Sequence, residues 1–143
     1  MVMQNNRYSG LWFPAIGLHA LHQIEEGISF FSWYADHAAL MPGWIRIISA
    51  SRAETWAQHP DLFALVSAGQ IIAVSTLAML FRRNEAATRF LLLLYLLGIT
   101  FFFGWHILSA YLAHAYAPIM VTSIGGFFFL PRWFKTLLKP ADA

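Results

Sequence analysis

The sequence predicts an all-α fold: a four-helix transmembrane bundle with a short interfacial helix between the first two spans. Three observations predict it. Of 143 residues, 59% are hydrophobic and only 11% charged, against roughly 25% charged in a typical soluble domain. Apolar stretches of the length needed to cross a bilayer, about 20 residues each, fill nearly the whole chain and leave no room for a soluble domain. The Lys and Arg residues, finally, divide unevenly between the two ends that such spans create.

The first span is residues 10–34, with Trp12 and Trp33 near its ends, where indole rings suit the membrane interface. Residues 36–61 follow as a polar outer segment. Within it Trp44, Ile45, Ile47, Ile48 and Trp56 alternate with Arg46, Arg52 and Glu54 at helical spacing, the pattern of a helix lying at the membrane surface. His59-Pro60-Asp61 reads as a helix start, leading into the second span, residues 62–81, which ends at Arg82-Arg83-Asn84-Glu85. The third span, residues 90–112, is the most hydrophobic. The fourth, residues 117–131, has Pro118 near its start, where a proline costs little, and Pro131-Arg132 at its end. The whole is a single integral membrane domain.

This division puts Arg7, Arg82, Arg83, Arg89, Arg132, Lys135 and Lys139 on one side and only Arg46 and Arg52 on the other. By the positive-inside rule both termini are cytoplasmic and residues 36–61 lie outside, in a plasma (inner) membrane. The first span does not read as a cleavable signal peptide, because two histidines and two glutamates interrupt its apolar region. There is no cysteine, which excludes disulfides, thiolate metal sites and a cysteine nucleophile together. A net charge of +2, scattered along the chain, gives no basis for nucleic-acid binding.

The anomaly is a group of ionisable residues inside the first span. A charged side chain at the centre of a spanning helix costs on the order of 2.5 to 3.5 kcal/mol, while each Leu, Ile or Phe returns only about 0.3 to 0.6. His22, Glu25 and Glu26 therefore need partners that lipid cannot provide, and groups at such depth usually face a bundle interior and carry function. At helical spacing His19, His22 and Glu26 fall within an arc of about 60°, and Glu25 lies about 60° to the other side of His22; Ser29 shares that face. A histidine three or four residues before a glutamate offers one metal ion a nitrogen and an oxygen from a single helix. Counting from the membrane edges, His106 lies about 17 residues into the third span and Glu26 about 16 into the first, nearly level. Gln70 in the second span and Thr122 in the fourth reach a similar depth and are candidates to support the ligands, as is His19.

His22-Gln23-Ile24-Glu25-Glu26 resembles the HxxEE motif of a family of small membrane proteins without a settled activity. The stretch around His106, with Tyr116, Pro118 and Thr122, is similar to that family's pattern of a third-span histidine followed by a Tyr-x-Pro-Gly-like turn. It departs from the pattern at Ile119, where glycine is common, and at Phe102, where asparagine is expected. The resemblance covers most of the chain and implies a metal-dependent membrane enzyme.

These readings converge on a metal-dependent membrane hydrolase acting on a hydrophobic or lipid-like substrate. His22, His106 and one of Glu25 and Glu26 would hold a divalent ion, zinc or iron foremost, and the other glutamate would act as general base. A different class uses the same residues as a proton or cation pathway. A third is a haem-binding protein with His22 and His106 as axial ligands, and a fourth an accessory subunit whose polar network only fixes helix register. His19 alone is expected to bond a backbone carbonyl, and His37, His59 and His114 to be solvated. Ser67, Gly69, Gly98, Gly104, Gly125 and Gly126 are expected to allow close helix approach. Oligomeric state and protein partners leave no trace in the sequence.

Overall fold

In the computed structural model, which describes residues 6–139, the first long rod spans residues 12–37 without being one uniform helix. Helix α1 (Trp12–Glu25) passes into a π-helical turn at Glu26–Phe30 and continues as α2 (Phe31–His37). A π turn accommodates an extra residue per turn and recurs at functional positions in helices. Here it begins at the second glutamate of the motif. Helix α3 (Gly43–Gln58) then folds back against α2, burying Ile45 and Ala53.

Pro60 starts α4 (Pro60–Phe81) at a position where its missing N–H costs nothing. Helix α5 (Glu85–Leu112) begins earlier than the apolar run because the Asn84 side chain accepts a hydrogen bond from the Ala87 N–H, 3.0 Å. It ends in a Schellman pattern. The Ala115 N–H reaches the Ala110 carbonyl and the His114 N–H the Tyr111 carbonyl, with His114 at φ 50° in the left-handed region. Helix α6 is Met120–Leu138, so Pro131 lies inside the last helix and does not end it. Packing overrides the proline: Leu137 is fully buried, and Arg89 Nε donates to its carbonyl at 2.6 Å.

Cross-chain contacts fix the directions. Asn6 meets the Arg82 carbonyl, Gln23 meets Ser67, and Gly27 meets Phe63, so α4 runs opposite to α1. His19 meets Tyr95 and Phe30 meets His106, so α5 runs with α1. Phe103 against Gly126 and Arg89 against Leu137 turn α6 back. The described residues are helical throughout their regular structure, and α4 and α5 are long and apolar enough to cross a membrane.

Two apolar clusters fill the interior. One, around Phe30, Tyr34, Ile45, Phe63 and Ile119, lies at the α3 end. The other, around Tyr8, Trp12, Leu92, Phe103 and Leu137, lies at the opposite end. The buried polar residues His22, Ser67, His106 and Ser123 fall between them in sequence on every helix that contributes. Many large apolar side chains point outward instead, among them Ile28, Leu65, Ile72, Leu97 and Phe128.

Of the expected close-approach glycines, Gly126 qualifies: a Cβ there would stand 2.0 Å from the Phe103 ring. Gly27, not singled out by sequence, has the same role toward Phe63 at 2.9 Å. Gly69, Gly98, Gly104 and Gly125 have nothing within 4 Å of a Cβ. Gly69 and Gly98 are exposed and Gly104 and Gly125 half-buried, and none of the four serves close helix approach.

Candidate functional site

The two adjacent glutamates point to different partners. Glu25 Oε2 accepts from the Thr122 backbone N–H at 3.1 Å and from the Thr122 hydroxyl. Thr122 lies in the first turn of α6, whose N–H groups lack intrahelical acceptors, and Ile119 before it offers no side-chain cap. A carboxylate from α1 thus caps α6 and complements its dipole. The Thr122 oxygen is also 2.8 Å from His22 Nδ1. Because the threonine proton goes to Glu25, its oxygen can only accept from His22, which puts the imidazole proton on Nδ1. His22 Nε2 then carries a bare lone pair, and it is buried without a partner.

Glu26, one residue on, faces α5. Its Oε1 is 3.5 Å from His106 Nε2, with both side chains nearly closed to solvent. The His22 and His106 rings touch, centroids 4.9 Å apart, and Phe30 and Phe103 close over them at 4.3 and 4.6 Å. That contact leaves no gap for a porphyrin between the two histidines. Among the described residues no three His, Asp or Glu side chains converge as a ready-made metal cage. The unpartnered His22 nitrogen lies beside the Glu26–His106 pair.

His19 does not bond a backbone carbonyl. Its Nδ1 is 2.7 Å from the Tyr95 hydroxyl and its Nε2 is 3.0 Å from Gln23 Nε2, while Gln23 Oε1 accepts from Ser67 at 2.7 Å. Since an amide nitrogen only donates, His19 Nε2 accepts and Nδ1 donates to Tyr95. One polar chain therefore links α4, α1 and α5. Gln70, a candidate to support the ligands, is exposed and has no hydrogen-bond partner among the described residues. Ser67, a turn earlier, is the α4 residue bonded to α1, through Gln23.

Two cavities adjoin these groups. A small one of about 60 Å³ is lined by His19, His22, Gln23, Glu26 and Gln70 with Phe103. A larger one of about 440 Å³ has Glu26 and His106 at its base, aromatic walls from α2, α4 and α5, and α3 as a roof. Glu26 and Gln70 line both. A third hollow of about 550 Å³, between α1 and α4, is apolar apart from Gln23 and Ser67 and holds no ionisable group. Ionisable groups thus line the 60 Å³ and 440 Å³ cavities. Glu25 lines none of the three.

Sequence reasoning missed Gln23, Ser67, Tyr34 and Tyr95. The signal for Gln23 was present, a polar residue one turn after His19 in the same apolar helix. The two tyrosines carried none, since a tyrosine in a span reads as ordinary packing.

The model of a family described as "protein of unknown function with HXXEE motif" matches residues 12–134. No curated protein and no solved structure matches the chain significantly.

Proposed function

The chain belongs to the HXXEE-motif family, whose function is unknown, and from that premise and its own geometry we propose that it is an integral membrane enzyme of four spans. It binds a divalent ion, zinc or iron, at His22, Glu26 and His106, and acts on a hydrophobic or lipid-like substrate held in the 440 Å³ cavity. Hydrolysis is the simplest reaction for that donor set.

The observation that carries this reading is the partnerless, buried Nε2 of His22 beside the Glu26–His106 pair. A buried acceptor without a partner costs about 1–3 kcal/mol, and a cation at that position removes the cost. The distribution of polarity supports the membrane setting. His19, His22, His106, Ser67, Ser109 and Ser123 are inside, while large apolar residues such as Ile28, Leu65, Ile72 and Phe128 face outward. The rod of residues 12–37 and α6 complete the four spans alongside α4 and α5. The basic residues around Arg82, Arg89 and Lys135 mark the cytoplasmic end.

Each residue has a distinct task. The Glu25–Thr122 pair fixes the His22 tautomer so that Nε2 faces the site, the role that carboxylates often have behind ligating histidines. Glu26 joins the ion site to the cavity and holds or passes a proton at Oε1, 3.5 Å from His106 Nε2. Phe30 and Phe103 keep bulk water out. A bound divalent ion would supply Lewis-acid activation of water at neutral pH.

Metal analysis of the detergent-purified chain tests the reading. A stoichiometric divalent metal, lost together in His22→Ala, Glu26→Ala and His106→Ala, is the expected result. A parent protein without metal, or variants that retain as much as the parent, overturns it.

A second reading has its own support in the chain Ser67–Gln23–His19–Tyr95, which extends hydrogen-bonding groups from the site toward the opposite end. A proton pathway through it predicts flux in liposomes that Tyr95→Phe abolishes. Liposomes that hold a pH gradient unchanged remove this alternative.

A further inference from the structure

The far end of the 440 Å³ cavity has a chemistry of its own. Glu26 and His106 form its base, but where α3 covers it the polar lining is Tyr34, Ser49 and Arg52. Arg52 is exposed and has no ion pair or hydrogen bond among the described residues. Tyr34 is only 1% exposed, and its buried hydroxyl faces Ser49. Glu26, at the base, is the one carboxylate among the described residues that line the cavity. The α3 end thus offers a guanidinium beside a pair of hydroxyls, without an internal anion to satisfy them, which is a donor set that recognises a phosphate or carboxylate.

Between the two ends the wall is hydrocarbon and aromatic, with Phe31, Trp56, Phe63 and Trp105 facing inward. On the side between α4 and α5, Val66 and Phe102 line the cavity while about half exposed to the exterior, 48% and 50%. The cavity therefore opens sideways onto the apolar outer surface. Its volume suits one chain, being at the lower end of the roughly 300–1,000 Å³ range of small-molecule sites.

We infer that the cavity selects a single-chain acidic lipid. Its phosphate or carboxylate headgroup is held by Arg52, Ser49 and Tyr34, and its chain lies along the aromatic wall and leaves between α4 and α5. This rests on the reading of the cavity as the substrate pocket of a membrane protein, and it concerns recognition, not the metal.

The full chain, purified in detergent, is titrated with oleoyl lysophosphatidic acid, oleoyl lysophosphatidylcholine and inorganic phosphate, and bound mass is read by native mass spectrometry. That readout requires neither turnover nor metal, so a failure here and a failure of the metal site are separate results. The acidic lipid is expected to bind about tenfold more tightly than the zwitterionic one, and inorganic phosphate not to compete. Arg52→Gln should erase the difference, weakening oleoyl lysophosphatidic acid far more than lysophosphatidylcholine, whose phosphate carries less charge and a choline cation. Val66→Trp should weaken both lipids, and Arg83→Gln, at the opposite end, neither. Equal affinities in the parent, an unchanged preference in Arg52→Gln, or competition by inorganic phosphate alone overturns the proposal.

Discussion

Glu26 Oε1, on the π turn, and His106 Nε2, on α5, stand 3.5 Å apart, while the adjacent Glu25 is turned away to the first turn of α6. The two glutamates should therefore fail differently when removed. Glu26→Ala is expected to abolish metal binding with little loss of stability. Glu25→Ala is expected to weaken metal binding about 10- to 100-fold, as changes behind a ligand do, and to lower stability by about 1 kcal/mol through the lost helix cap. Metal titration and thermal unfolding of the two variants decide it. Identical behaviour of both would mean that the capping geometry does not separate their roles.

His19 Nδ1 donates to Tyr95, and nothing else on the ring compensates if that acceptor goes. Tyr95→Phe should destabilise the fold by about 0.6 to 2 kcal/mol, the lower figure typical of hydrogen bonds between membrane helices. His19→Phe should cost less in the Tyr95→Phe background than alone, because the bond is then already lost, while Gln23 loses its acceptor in both cases. A double-mutant cycle by thermal or denaturant unfolding measures the coupling, and a coupling of zero would show that the bond contributes nothing.

Much of this arrangement was legible in the chain, and the divisions between legible and hidden have physical causes. The all-helical fold follows from apolar length and Pro60, Asn84 and Arg82 at the boundaries, which act locally. The shared level of Glu26 and His106 follows from counting rise per residue. What counting cannot supply is rotation. Which glutamate faces α5 depends on the π turn starting at Glu26 and on α6 beginning at Met120, where Thr122 has a free N–H. The end of α6 was misplaced because Pro131 is a local stop signal, overridden by Leu137 packing against α5. His19 was given a backbone partner because Tyr95, seventy-six residues away, has no mark that distinguishes it from a packing residue.

Gly126 should be among the least replaceable residues. A methyl group there would overlap the Phe103 ring, and that ring packs on His22 at 4.6 Å, so the strain reaches the site. Gly126→Ala is expected to cost about 1–3 kcal/mol as overpacking does and to reduce metal binding as well. Gly69→Ala meets nothing within 4 Å and should be neutral or stabilising by up to about 1 kcal/mol from helix propensity. Parallel unfolding curves test the pair, and a tolerated Gly126→Ala would contradict the packing described for Phe103.

The π turn offers a way to alter the site without emptying it. Ile28 is 77% exposed within Glu26–Phe30, so deleting it removes the extra residue at little cost to packing and lets the turn close as regular α-helix. Helical content and unfolding temperature should hold, while metal binding falls because Glu26 is aimed from the first residue of that turn. Circular dichroism with metal analysis separates the outcomes. Full metal binding in the deletion variant would show that the π turn has no part in directing Glu26.

The absence of cysteine makes the orientation directly measurable, because any single cysteine introduced is the one reactive thiol in the chain. Glu54 on α3 and Arg83 between α4 and α5 are both exposed and belong to opposite ends of the helices. If basic residues hold Arg83 in the cytoplasm, Glu54→Cys should react with a membrane-impermeant maleimide in intact cells. Arg83→Cys should react only after permeabilisation. The reverse pattern would invert the topology and move the α3 end of the cavity to the cytoplasmic face. Equal labelling of both in intact cells would mean that the membrane does not separate the two ends, and the spanning arrangement would fall with it.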